Sequence, residues 1–283
     1  MALDVLDSLG MFGATAGLPE QVAAAARLAA GIEGLPRGDE VDNVAVLGMG
    51  ASGLAGDVLA AVGDPFVAVP ITVTRGYAPP SFVGPGTLCF AVSYSGDTEE
   101  TVEAAPAELA PSWQAPLVPV PPEIPAARAA LASGDWAQKL ARAIGPTIPL
   151  IIGAGPLGAV AVRRWTTQIN ENAKAPAFGG VLPELCHNEI AGWGQHGDVT
   201  RQVFTLVELR HDEEHPLELA RFDQVRDLLA EVTHDVVEVR AVGEGPLAQL
   251  LDLVMIGDVV SLHMAAQAGI DPGPVPATAG FRL

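Results

Sequence analysis

Val44-Ala45-Val46-Leu47 runs directly into Gly48-Met49-Gly50-Ala51-Ser52-Gly53, and Pro149-Leu150-Ile151-Ile152 runs into Gly153-Ala154-Gly155-Pro156-Leu157-Gly158. Each stretch reads as a buried strand, a glycine turn and a helix start. An apolar run with no polar alternation is the mark of a strand covered on both faces. Two such copies about one domain length apart imply two similar α/β units, each built on a parallel sheet flanked by helices.

The rest of the chain is read outward from these turns. Phe66 to Val73, Leu88 to Val92, Val203 to Leu209 and Val236 to Val239 read as further strands. Leu3 to Ile32 reads as helix broken near Gly10 to Pro19, and Gln249 to Ala268 as an apolar helix. Ala105 to Pro125 holds seven prolines and is no regular helix, with Leu117-Val118-Pro119-Val120 as a remnant strand. The organisation expected is an N-terminal helical segment over 1–40, a first α/β domain over 41–134 and a second over 135–283.

Both glycine turns match G-x-G-x-x-G, the spacing that brings a backbone close to a pyrophosphate. The dinucleotide fingerprint also asks for an acidic residue at the end of the second strand. Here that strand ends Thr72-Val73-Thr74-Arg75 with no carboxylate, and Arg75, able to contact a 2′-phosphate, leaves a site for a 2′-phosphorylated dinucleotide open. For Gly153 to Gly158 the favoured reading is a tight strand-to-helix turn. For Gly48 to Ser52 it is one wall of a phosphate pocket.

The other wall is Ser93-Tyr94-Ser95-Gly96-Asp97-Thr98, placed between an apolar strand and Glu99-Glu100-Thr101. A strand, a hydroxyl-rich turn and a helix start make an anion site from unpaired N–H groups, a partial positive charge and hydroxyl donors. The loop carries no lysine or arginine, which suits a single phosphate better than a nucleoside triphosphate. The plainer alternative is a capped helix, with Ser95 or Thr98 as N-cap and glutamates in the first turn.

Composition narrows the partners. Of 283 residues, 49% are apolar and 17% charged, enough to build a sizeable core. A net charge of −19 argues against nucleic acid, which needs basic patches. An anionic ligand must therefore be gripped by backbone N–H groups, hydroxyls and a few local cations. Cys89 and Cys186 give neither a disulfide framework nor metal-ligand spacing and are expected to be buried, inert thiols. No basic stretch followed by an apolar one opens the chain, and no uninterrupted apolar run approaches the roughly 18 residues of a membrane helix. A soluble cytoplasmic protein without membrane contact is expected.

A second polar cluster follows Trp165. Thr167-Gln168-Ile169-Asn170-Glu171-Asn172-Ala173-Lys174 sets two asparagines around Glu171, although asparagine disfavours helix interiors. A partly desolvated carboxylate at a helix end can be a general base; alternatively Asn172 and Lys174 cap a solvated helix end. His187, sixteen residues on, can move a proton to or from a ring oxygen, or be structural. Arg128 stands alone among small apolar residues, as a functional cation or a surface arginine. His196, His211, His215, His234 and His263 carry no assignment.

Taken together, Gly48-Met49-Gly50-Ala51-Ser52, Ser93 to Thr98, Ala127-Arg128-Ala129-Ala130, Asn170 to Lys174 and His187-Asn188-Glu189 resemble the bifunctional phosphoglucose/phosphomannose isomerases, which are sugar-isomerase-domain (SIS) proteins. The motifs run in that family's order from about residue 44 to 190. The resemblance implies an α/β fold of two SIS-type, flavodoxin-like domains, and a homodimer with sites near the interface. It implies isomerisation of fructose 6-phosphate to glucose 6-phosphate or mannose 6-phosphate through a cis-enediol, with no cofactor and no metal. Carried over by position, Gly50, Ser52, Ser93, Ser95 and Thr98 hold the phosphate and Glu171 is the base. Arg128 stabilises the enediolate, and His187, reaching in from the partner subunit, helps open the ring.

The chain departs from the family's pattern in four ways. Ala51 stands where a second glycine is usual and Asp97 where asparagine is usual. Arg282 stands near the place of a lysine that assists ring opening; it keeps the charge but does not readily release a proton. The stretches from Thr98 to Arg128 and from Arg128 to Glu171 are short for the family. These changes leave a second expectation open: a catalytically weak or inactive SIS module that binds a sugar phosphate as a sensor or regulator.

Overall fold

In the computed structural model, which describes residues 5–105 and 135–276, each glycine turn joins the central strand of a parallel sheet to a helix. The described residues fall into two units. One takes in 22–105, and the other joins the residues up to Gln21 to those from 135 onward.

In the first unit, β1 (Asn43–Leu47) lies between β2 (Ile71–Thr74) and β3 (Thr87–Ala91), giving the order β2-β1-β3. All pairings are parallel, with Leu47 level with Thr74 on one side and Ala91 on the other. Val44 to Leu47 are buried, as a strand covered on both faces requires. Helix α3 (Gly50–Gly63) leaves the first glycine turn, and α4 (Glu99–Ala104) follows the serine loop. The strand expected over Phe66 to Val73 is confined to its end, with Phe66 and Val67 exposed in the preceding loop. Helix α2 (Leu18–Ala29) also begins this half of the chain; its predecessor α1 (Met11–Ala16) occupies much of the expected break, which shrinks to Gly17.

The second unit repeats the plan with one more strand. β4 (Ile148–Ala154), β5 (Phe178–Leu182), β6 (Phe204–Arg210) and β7 (Asp235–Arg240) run parallel in the order β5-β4-β6-β7. Around the sheet lie α5 (Asp135–Ile144), α6 (Gly155–Gln168), α7 (Gly197–Val203), α8 (Pro216–Leu229) and α9 (Gly245–Ala268). α9 is long and apolar enough to cross a membrane, but its most apolar window is 83% buried within the protein, as in a core helix. Trp165 of α6 donates from Nε1 to Leu253 O at 2.8 Å, and Gly257 makes room for its ring, which a Cβ there would meet at 2.5 Å. A bidentate pair between Arg164 and Asp258, at 2.8 and 2.7 Å, ties the same two helices. Cys186 is half-buried and packs on the core of this unit; Cys89 is also half-buried, and burial pushes its thiol up.

β5 is not among the strands expected from the sequence, and Gly179-Gly180 interrupts its apolar run. The structure gives the reason for both glycines. A Cβ at Gly179 would stand 2.4 Å from Val162 Cγ1, and one at Gly180 would stand 2.2 Å from Leu185 Cδ1. The strand is stripped of side chains where neighbouring elements press on it.

Candidate active site

The strand order puts both walls of the expected phosphate pocket at one edge. In each sheet the first strand is central, with its sequence successor on one side and the third strand on the other. This is a topological switch point, where crevices form beyond the carboxyl ends of the strands. In the first unit those ends carry the glycine turn after β1 and the serine loop after β3. Val92 N donates to Leu47 O at 2.8 Å, so the two segments leave the sheet side by side.

Gly50 opens α3 at φ +51, where a side chain would be strained, and nothing lies within 4 Å of the Cβ it lacks. The constraint is therefore conformational, and the space in front stays open. Ser52 is half-buried in the first turn of α3. On the opposite wall Ser93 and Thr98 Oγ atoms lie 2.9 Å apart, and Ser93 and Ser95 Oγ atoms 3.5 Å apart. Gly96 N donates to Ser93 Oγ at 3.0 Å, with Gly96 at φ +80 closing the loop.

This geometry separates the two readings of the loop. Thr98 does occupy the N-cap of α4, with Glu99 and Glu100 in the first turn, but its hydroxyl makes no capping bond. It turns to Ser93 instead, so three hydroxyls converge and can reorient toward phosphate oxygens. Tyr94 and Asp97 are exposed, and Asp97 N reaches Ser95 Oγ at 3.4 Å.

Arg75, at the exit of β2, pairs with Asp57 of α3 at 2.5 Å. Its guanidinium is thus tied to α3.

Glu171 lies in the second unit. The last turn of α6 widens into a π-turn over Ile169–Ala173, a feature frequent at functional sites. The turn leaves Asn170 and Glu171 exposed while Ile169, Asn172 and Ala173 are buried. Buried Asn172 donates to Ser261 Oγ at 2.8 Å and to Gln168 Oε1 at 3.2 Å, and Gln168 Nε2 reaches Glu171 Oε2 at 3.5 Å. A polar chain therefore runs from α9 through the π-turn to the carboxylate. Lys174, left-handed at φ +53, ends the turn and donates from Nζ to Glu171 O and, at 3.2 Å, to Pro272 O. The capping reading of Lys174 and the positioning of Glu171 thus coexist. Gln168 and Ser261 were not singled out from the sequence; the lone serine inside the apolar run of α9 was the available signal.

His187 is exposed at the end of the 3₁₀ turn Glu184–His187, just past the carboxyl end of β5. Glu171 precedes the amino end of the same strand. The two are separated by all five residues of β5, roughly 16 Å at about 3.3 Å per residue. Arg128 and Arg282 lie outside the described residues. Among the described residues no three His, Cys, Asp or Glu side chains form a group able to hold a metal.

The second glycine turn has the same backbone and other neighbours. Gly155 opens α6 at φ +59, and Gly153 and Gly158 touch so closely that a Cβ on either would stand 2.8 Å from the other. Beside it, after β6, is no serine loop. His211 Nε2 meets Ala154 O at 3.1 Å, Glu214 accepts from His211 N at 2.9 Å, and the Glu218 carboxylate lies 3.7 Å from where a Gly155 Cβ would be. A helix start faced by the protein's own carboxylate has no use for an external anion.

The chain is similar to known proteins over most of its length. The family described as bacterial phospho-glucose isomerase C-terminal SIS domain matches residues 134–282. A bifunctional phosphoglucose/phosphomannose isomerase of Caldicellulosiruptor bescii is 28% identical over 331 aligned positions, covering 94% of this chain and 96% of that protein. One of Thermoplasma volcanium is 29% identical over 282 positions, covering 83% and 88%. The 331 positions exceed this chain's 283 residues, so the longer relative has residues with no counterpart here. Among solved structures, the C-terminal domain of glucosamine-fructose-6-phosphate aminotransferase from Francisella tularensis superposes with a TM-score of 0.65 at 13% identity, covering 93% of this chain and 97% of that one. Tagatose-6-phosphate ketose/aldose isomerase from Escherichia coli gives 0.61 at 14% identity, covering 94% and 95%. At such identities these two likenesses speak for the fold, which is the two-domain SIS architecture expected from the motifs.

Proposed function

The chain belongs to the bacterial phosphoglucose isomerase family with its C-terminal SIS domain, and from that premise we propose that it isomerises fructose 6-phosphate to glucose 6-phosphate, mannose 6-phosphate or both. The observation that carries this reading is the convergence of Ser93, Ser95 and Thr98 beside the open glycine turn of Gly50 and Ser52. Such a site grips one phosphate through hydroxyls and backbone N–H groups without a metal-bound triphosphate.

In this mechanism the phosphate anchors the open-chain sugar, and Glu171 takes a proton from C1 of the ketose. The electron pair moves into a C1–C2 double bond, giving a cis-enediolate whose charge Arg128 stabilises. The hydroxyl proton then passes from O1 to O2, and Glu171, now protonated, returns its proton to C2 as the C1–C2 electron pair takes it up and C1 becomes the aldehyde; the face it delivers to decides between glucose and mannose products. His187 carries the proton for ring opening, with Arg282 supplying positive charge in place of a lysine. No cofactor enters, since the proton is returned to the same carbon skeleton. The placement of Glu171 and His187 at opposite ends of β5 supports a homodimer in which each serves a different copy's sugar.

Replacing Glu171 by Gln tests the assignment. Turnover of fructose 6-phosphate is expected to fall by a factor on the order of 10²–10⁴, the usual worth of a positioned general base, while fructose 6-phosphate still binds. Full activity in Glu171→Gln removes Glu171 from the mechanism. A wild-type protein that binds fructose 6-phosphate but never converts it is instead the sensor module that Ala51, Asp97 and Arg282 leave open.

A further inference from the structure

Arg27, Arg37 and Arg75 are the only lysines or arginines between residues 22 and 122, and Arg75 alone stands at a strand end of the first sheet. Arg27 lies on α2, and Arg37 is spent on exposed pairs with Asp39 and Glu40. Arg75 is half-buried and reaches from the exit of β2 across the first turns of α3. Its guanidinium lies against Gly53, where a Cβ would meet Nε at 2.9 Å and Cζ at 3.2 Å, and it ends on Asp57 at 2.5 Å.

The residue before it holds the other end of the same turn. Thr74 O accepts from Gly48 N at 3.2 Å, while Gly53 N closes the turn onto Met49 O at 3.1 Å. Consecutive residues of one strand exit therefore grip the glycine turn at its start, through backbone, and one to two helical turns on, through a side-chain ion pair. Between these grips lie Gly50 and Ser52. Tyr77, two residues beyond Arg75, faces Glu100, Glu99 and Glu103 of α4, whose charges hold its hydroxyl above the ordinary tyrosine range. The segment Arg75-Gly76-Tyr77 thus touches the helices behind both walls of the phosphate pocket.

We propose that Arg75 is a positioning residue for substrate phosphate: paired with Asp57, it clamps the first turn of α3 so that the Gly50–Ser52 donors stay aimed at the ligand. This rests on the phosphosugar reading above. Arg75 need not touch the phosphate, and the Asp57 pair keeps its charge local. What it supplies is preorganisation, so its loss weakens ground-state and transition-state binding alike.

The test compares wild type, Arg75→Gln and Arg75→Lys in steady-state kinetics with fructose 6-phosphate and in inhibition by inorganic phosphate. Arg75→Gln is expected to raise KM and the phosphate inhibition constant together by about tenfold, the scale of one charged hydrogen bond, with kcat changed by less than about threefold. Arg75→Lys, which keeps the charge but loses the planar fork, is expected to recover part of both constants. If Arg75→Gln does not fold, Arg75→Lys alone decides, through a KM raised by about threefold with kcat kept. An active wild type with KM and phosphate inhibition unchanged in the folded variants overturns this inference and leaves the isomerase standing. A wild type that neither converts fructose 6-phosphate nor is bound by phosphate overturns both.

Discussion

The two glycine turns have nearly the same backbone and opposite uses. Gly50 and Gly155 open helices of equal length, 14 residues, at φ +51 and +59, each from the central strand of a parallel sheet. At the first, hydroxyls of Ser93, Ser95 and Thr98 stand alongside with nothing closing the space before Gly50. At the second, Glu218 and the His211–Glu214 loop fill the neighbouring strand exit with bonds among themselves. On the phosphosugar reading proposed above, a repeated fold yields one ligand site and one structural joint, and what separates them is the loop after the third strand. The G-x-G-x-x-G spacing by itself marks only close strand–helix packing.

Variants on each side sharpen this contrast. The largest effect is expected at the structural joint. The Glu214 side chain is only 1% exposed and accepts from Arg210 at 2.9 Å. Glu214→Gln leaves the buried Arg210 guanidinium with only the more distant Glu238, at 3.5 Å, as counter-charge and is expected to cost about 3 kcal/mol of stability. Denaturant unfolding measures that cost, and KM for fructose 6-phosphate below the transition should stay put. The reverse pattern is expected at the ligand site. Ser93→Ala with Ser95→Ala should raise KM roughly 30- to 100-fold through two lost hydrogen bonds to a charged group, with unfolding midpoints close to wild type. Equal KM effects from Glu214→Gln and from the double serine change would break the contrast.

Smaller effects follow in the second unit. Gln168→Leu removes the link between the Asn172–Ser261 chain and Glu171. Turnover is expected to drop by about tenfold with KM kept, since only the orientation of the base is disturbed. The smallest effect concerns His263, whose ring meets Phe12 edge-on at 5.3 Å. Burial, and next the charge of Arg142, hold its pKa below the ordinary 6.5. The unfolded chain then takes up the proton first as pH falls, so this contribution to stability is complete above pH 6.5 and is lost below it. Melting curves of wild type and His263→Phe should converge in their pH dependence above 6.5 and diverge below.

Much of the architecture was legible because buried parallel strands are continuous apolar runs. β1, β3, β4, β6 and β7 all fall where such runs end in glycine or polar turns. β5 was not, since packing against Val162 and Leu185 selects glycines that interrupt its apolar run. Phe66 and Val67 misled in the other direction, being β-prone residues left exposed in a loop. At the candidate site, the hydroxyl loop and the asparagine-flanked Glu171 stood out in the sequence because such residues are costly without a role. Ser261 and the Arg75–Asp57 pair were not, because each acts through a partner distant in sequence, and spacing carries no record of that; Gln168 has near partners, Glu171 and Asn172, but its contacts depend on the π-turn, which spacing does not reveal.

The most direct measurement is proton NMR of the purified protein with fructose 6-phosphate, without added cofactor or metal. The account predicts anomeric signals of glucose 6-phosphate, mannose 6-phosphate or both, growing in at a rate that falls with the Ser93→Ala, Ser95→Ala pair and with Glu171→Gln. Fructose 6-phosphate that stays unchanged at high protein concentration contradicts it.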